Sequence, residues 1–147
     1  MKDITLEEIL IKQINGELNN QNDWNNLCIK YTLSEKIIDK FVDKWDWLII
    51  LISQKLSEKF IEKYSYNSSD LYNYWKHVFL NQKVSESFIL KHIDMISKTS
   101  SWYTISKYQE LSESFIEKYQ NKVDWYWIFK YQDLPKNFKE KNQWRIN

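Results

Sequence analysis

Apolar residues along this chain fall in short clusters at helical spacing, separated by polar stretches, and the clusters recur. Leu33-Ser34-Glu35-Lys36-Ile37-Ile38 returns as Leu56-Ser57-Glu58-Lys59-Phe60-Ile61, as Val84-Ser85-Glu86-Ser87-Phe88-Ile89 and as Leu111-Ser112-Glu113-Ser114-Phe115-Ile116. A worn copy, Thr5-Leu6-Glu7-Glu8-Ile9-Leu10-Ile11, opens the chain, and Leu134-Pro135-Lys136-Asn137-Phe138 closes it. The leading residues 6, 33, 56, 84, 111 and 134 are separated by 27, 23, 28, 27 and 23 residues. A second signature precedes each later start. Trp24, Trp47, Trp75, Trp102 and Trp125 stand nine residues upstream, and Leu27, Ile50, Val78, Ile105 and Ile128 stand six upstream. Periods of this length mark stacked supersecondary units.

Each unit reads as two short helices. The first is predicted to start at the Ser, whose hydroxyl can accept from an otherwise unpaired backbone N–H. The Glu that follows suits the positive end of the helix dipole. Leu56 with Ile61, and Leu111 with Ile116, have the spacing of a hydrophobic staple. The second helix is predicted to start at Asp23, Asp46, Ser101 or Asp124, just before a signature Trp. In the third unit Tyr74 takes the cap position and Ser68-Ser69-Asp70 lies upstream, so that helix starts earlier. The Trp and the residues three, four and seven places on, such as Trp47, Ile50, Leu51 and Gln54, share one stripe. Trp24, Trp47, Trp75, Trp102 and Trp125 are therefore read as the repeated core. A lone pair of such helices cannot bury the stripe, but stacked neighbours can. The expected fold is all-α: a short α-solenoid of about five helix–loop–helix repeats in one domain, residues 1–147. The worn first copy and a half-repeat over 134–147 act as caps. Asn19 to Asn26 reads as a loop, and Lys139 to Asn142 as a polar tail.

Composition sharpens this picture. One Gly and one Pro leave little material for hairpin turns, and 43% hydrophobic residues suffice for a core. A net charge of +1 with 28% charged residues excludes the imbalance of a disordered chain. Cys28 has no partner for an internal disulfide. The run Trp47 to Ile52 is too short to span a bilayer, and Met1 to Gly16 mixes charge into its apolar positions, unlike a signal peptide. The expectation is a cytoplasmic protein with no membrane partner.

The runs Leu111 to Tyr119 and Val123 to Gln132 resemble short tandem repeats in largely uncharacterised proteins of giant DNA viruses and some phages. The resemblance covers nearly all of residues 33–138 and brings no catalytic residues with it. It implies a small stand-alone protein similar to those that block host machinery, such as anti-CRISPR and other anti-defence inhibitors.

The chain offers little to catalysis. His92 occupies the place held by Tyr64 and Tyr119 in other copies and reads as a packing position. His77 faces outward beside Trp75. Cys28 sits where other copies have Leu51, Phe79 and Phe129, as a small core residue. The recurring Ser and Glu residues have a structural cause. Two His and one Cys do not make a zinc site, and one Gly makes no phosphate loop. No enzyme activity, cofactor or metal is expected.

Repeat proteins bind through the positions that vary between copies. After the signature Trp come Asn25, Leu48, Lys76, Tyr103 and Tyr126, then Asn26, Ile49, His77, Thr104 and Trp127. Leu48, Ile49, His77, Tyr103, Tyr126 and Trp127 are candidate partner-binding residues, since exposed aromatics are favoured anchors. Lys107 and Lys130 occupy matching positions and join them. The leading expectation is a protein partner, and the viral resemblance implies a host defence effector. The alternatives are nucleic acid, held by aromatic stacking and lysine–phosphate contacts, and self-association in an assembly. Alternating Glu and Lys elsewhere and the near-neutral total weigh against nucleic acid.

Overall fold

The computed structural model describes residues 1–65, 70–98 and 102–146, without the side chains of 14 and 96–98. The proposed start signals Ser68, Ser69 and Ser101 lie outside the described residues. Its Cα positions group into two compact units, Met1–Ser69 and Asp70–Asn147.

The first unit holds β1 (Lys2–Asp3), α1 (Leu6–Ile14), α2 (Gln21–Lys30), β2 (Tyr31–Thr32), α3 (Glu35–Lys40), a 3-10 turn (Val42–Lys44), α4 (Trp47–Ser53) and α5 (Glu58–Tyr64). The second holds α6 (Leu71–Asn81), α7 (Glu86–Lys91), α8 (Ile93–Lys98), α9 (Trp102–Tyr108), α10 (Glu113–Lys118), α11 (Trp125–Tyr131), α12 (Lys136–Asn142) and a 3-10 turn (Gln143–Arg145). Among the described residues the β-structure is one parallel pair, with Lys2 opposite Tyr31 and Asp3 opposite Thr32. The fold is all-α. In the first unit α2 lies against α4; in the second α6 lies against α9 and α9 against α11.

The helices start where the caps dictate. Ser34, Ser57, Ser85 and Ser112 accept from the N–H groups of Ile37, Phe60, Phe88 and Phe115. Asp46 and Asp124 cap α4 and α11 in the same manner, and Asp70 caps α6, so that helix does begin upstream of Tyr74. The staple partners Ile38, Ile61, Ile89 and Ile116 are fully buried, each burial worth roughly 1.5–3 kcal/mol.

Three boundaries differ from the sequence reading. Thr5 caps α1 through a reciprocal Thr5–Glu8 capping box, so Leu6 lies inside the helix and not ahead of its cap. The leading apolar position of the first copy is therefore Ile4, which is buried with Ile9. Asp23 does not cap α2; Asn20 does, with Asp23 returning the bond from the third helical position. Asn19 to Asn26 is consequently mostly helix, because Trp24, Leu27 and Cys28 give it a buried face. Lys139 to Asn142 is also helical, anchored by buried Phe138 and Asn142. The single glycine, Gly16, has φ +69° just past α1, where a left-handed residue ends a helix at least cost.

Two contacts recur with the repeat. The first four signature Trp residues pack on the ring seventeen residues later: Trp24 on Phe41 at 5.3 Å, Trp47 on Tyr64 at 4.6 Å, Trp75 on His92 at 4.2 Å and Trp102 on Tyr119 at 5.3 Å. Trp24 and Trp75 are buried and Trp47, Trp102 and Trp125 half-buried. The aliphatic residue three places on is buried in all five copies. The second contact is a buried glutamine seven places after the Trp. Gln109 donates to the carbonyls of Phe79 and Gln82 and accepts from the N–H of Val84. Gln132 does the same to Ser106, Gln109 and Leu111, and Gln54 to Cys28, Tyr31 and Leu33. The amide thus satisfies carbonyls at the end of the preceding second helix and the N–H that leads into the next first helix, groups that helix ends leave unpaired. The first-turn glutamates add to this link: Glu35 accepts from the Ser57 N–H at 2.6 Å and Glu86 from the Ser112 N–H at 2.5 Å. Pro135 stands where the next such N–H would be and has none to offer.

Candidate docking surface on the second helices

With the stripe of α9 and α11 spent on the core, their opposite sides carry what the scaffold does not use. Tyr103 and Lys107 lie one turn apart on α9, Tyr126 and Lys130 one turn apart on α11, and Trp127 and Tyr131 likewise. Because α9 packs on α11, these three pairs meet. Trp127 stacks on Tyr131 at 5.3 Å and 20°, and meets the rings of Tyr103 at 5.2 Å and Tyr126 at 4.9 Å edge to face. The Lys107 ammonium lies 4.3 Å from the Trp127 centroid, and that of Lys130 lies 5.3 Å from it. Both also approach Tyr131, at 5.7 and 5.5 Å. Lys107 donates to the Tyr103 hydroxyl at 3.4 Å and Lys130 to that of Tyr126 at 3.3 Å. The Lys107 pKa is raised above the ordinary lysine value, chiefly by the Tyr108 hydroxyl, with desolvation opposing and Tyr103 assisting.

The cluster is open to solvent. Tyr126 is 55% exposed, Tyr131 51% and Tyr103 42%, while Trp127 is half-buried. Among the described residues three lysines of the second unit pair with carboxylates, Lys141 with Glu117 at 2.8 Å, Lys136 with Glu140 at 3.5 Å and Lys83 with Glu110 at 3.7 Å. Lys107 and Lys130 have aromatic rings around them instead, and neither forms an ion pair among the described residues. Below the cluster a cleft of about 500 Å³ is lined by residues including Lys83, Lys107, Tyr108, Tyr131, Glu110 and Asp133. Its charges balance.

Five of the sequence-derived candidates, Tyr103, Lys107, Tyr126, Trp127 and Lys130, are therefore one surface. His77 is not part of that cluster: it stands half-buried on α6, with Nδ1 3.2 Å from the Asn81 amide. Leu48 and Ile49 are half-buried on α4 in the first unit, beside exposed Ile52. Thr104, expected to face outward with Trp127, is buried. Ser106, elsewhere on α9, is also buried and accepts from the Asp124 N–H at 2.9 Å. Tyr108 and Tyr131 were not among the sequence candidates, although the recurrence of Lys-Tyr-Gln at 107–109 and 130–132 marks both.

Elsewhere the chemistry is structural. The His92 ring packs on Trp75 and, at 4.6 Å, on Phe88. Cys28 is buried beside the Ser53 hydroxyl, and burial pushes its thiol pKa up, opposed by bonds from Ser53 and Gln54. Among the described residues no group of three His, Cys, Asp or Glu side chains is placed to hold a metal ion, and no helix is long and apolar enough to cross a membrane. Comparison with family models, curated proteins and solved structures gives no match to this chain.

Proposed function

We propose that this protein is a non-enzymatic helical-repeat module that binds another protein through the outer surface of α9 and α11. The observation that supports this is the contiguity of Tyr103, Tyr126, Trp127 and Tyr131. These are large rings on sides of the helices that the core does not need, and three of them are among the most exposed apolar side chains of the second unit. Aromatic anchors in a contiguous patch are the usual energetic centre of a protein interface. Stacking of all the repeats into one solenoid would present this surface on a stiff support, and the mode of action would be steric cover of a functional face of the target. The resemblance to virus and phage repeats makes a host defence effector, such as a CRISPR component, the first target class to try.

The test is affinity capture from host lysate, with and without nuclease, using the wild type and Tyr126→Ala/Trp127→Ala. A protein retained after nuclease treatment and lost at least tenfold in the double variant, with unchanged circular dichroism, is the expected result. Equal retention by both forms would remove this surface from consideration. Capture that vanishes with nuclease would favour nucleic acid, for which Lys107 and Lys130 would supply the phosphate contacts.

A further inference from the structure

From the charge and ring geometry of the α9–α11 surface we infer that it takes an acidic polypeptide segment, whose carboxylates reach Lys107 and Lys130. This rests on the protein-binding reading above and names the chemistry of the partner.

The argument begins with what covers the ring faces. Tyr131 stacks on Trp127, and the Lys107 and Lys130 ammonium groups lie over the same indole. Lys130 also lies over Tyr126 at 5.4 Å, and Lys107 over Tyr103 at 5.7 Å. The faces of Trp127 are thus taken by a ring and by cations, and a cation covers one face each of Tyr103 and Tyr126. What an aromatic ring has left is its edge, which carries the positive end of the quadrupole. Ammonium groups, ring edges and phenolic hydroxyl donors then present one sign of potential, and an anion complements all three.

Both lysines approach one indole, so their ammonium groups stand no further apart than the sum of two short distances, 4.3 and 5.3 Å. Neither has a carboxylate within ion-pair distance among the described residues, whereas Lys83, Lys136 and Lys141 in the same unit each have one. The unit also carries an excess of cations, with twelve Lys and Arg against nine Asp and Glu in Asp70–Asn147. Carboxylates spaced along a peptide would pair with both ammonium groups at once.

A nucleic acid strand fits less well. Stacking of bases needs bare ring faces, and on Trp127 those are used. The balanced cleft beside Glu110 and Asp133 places the acidic segment along the helices rather than in that cleft.

The experiment measures fluorescence anisotropy of three labelled probes with the full chain: a Glu–Tyr copolymer, a Lys–Tyr copolymer and oligothymidine. Three double variants run alongside, Lys107→Ala/Lys130→Ala, Lys107→Glu/Lys130→Glu and Tyr126→Ala/Trp127→Ala, with circular dichroism as the folding control. The expected result is binding of the Glu–Tyr copolymer, at least tenfold weaker in the alanine lysine variant, with preference switched to the Lys–Tyr copolymer by charge reversal. Equal binding of both copolymers, lost in Tyr126→Ala/Trp127→Ala, would overturn the acidic preference and leave the docking surface standing. Tighter, lysine-dependent binding of oligothymidine would overturn it in favour of nucleic acid. Failure of the Glu–Tyr copolymer to bind, or to respond to the lysines, would overturn it too. Affinity capture with the aromatic variant then judges the protein-binding reading separately.

Discussion

Helix α4 in the first unit and α11 in the second follow the same repeat and differ where it leaves them free. Each has an Asp cap, a half-buried Trp, a fully buried Ile three places on and a buried Gln seven places on. Gln54 and Gln132 make the same three backbone hydrogen bonds. On the outer side α4 shows Leu48, Ile49 and Ile52, while α11 shows Tyr126, Trp127 and Lys130. The inner positions repeat because each performs a task that one residue type does well. The outer positions carry no such duty, and in the second unit they assemble a cationic aromatic surface that the first unit lacks.

If the scaffold is shared, matched substitutions in the two units should have matched consequences. The largest effects belong to Ile50→Ala and Ile128→Ala, both at fully buried positions. Each should lose about 2–5 kcal/mol in urea unfolding, and a marked disparity would break the equivalence. Gln54→Glu and Gln132→Glu keep the side chain's size but remove its two amide donors, stranding two carbonyls each. A loss of about 2–4 kcal/mol is expected for either. Full stability in either variant would show that the amide bonds are not what joins successive repeats. Asp46→Ala and Asp124→Ala remove caps and should each cost about 1 kcal/mol.

The smallest effect is a pH slope confined to the second unit. Burial, then the neighbouring Lys76, lowers the His77 pKa below 6.5. As pH falls beneath the unfolded value, the unfolded chain takes up a proton that the folded chain resists, so stability declines toward acid through the folded pKa. His77→Gln should flatten that part of the stability–pH profile, measured by urea unfolding between neutral and mildly acidic pH. An unchanged slope would assign it to other groups.

The repeat was legible because caps and staples are local: Ser112 and Ile116 declare a helix whatever surrounds them. The same locality explains the errors. Thr5 and Asn20 cap their helices as Ser and Asp do elsewhere, but worn flanking sequence hid the register, and a run of Asn reads as loop until Asp23 closes the capping box. The glutamine link could be placed on the inner stripe from spacing. Its function could not, because the bonds of Gln132 span more than twenty residues. Periodicity alone likewise marked Tyr103 and Tyr126 as outward and paired Lys107 with Lys130. Their union with Tyr131 around Trp127 depends on α9 packing against α11.

The central claim is that partner binding resides on the second unit's aromatic surface and not on the aliphatic side of α4. The most direct measurement is retention of a nuclease-resistant captured protein by two variants of equal helicity, Tyr126→Ala/Trp127→Ala and Leu48→Ser/Ile52→Ser. The account expects at least tenfold loss in the first and near wild-type retention in the second. The reverse pattern would contradict it and move the docking surface to α4.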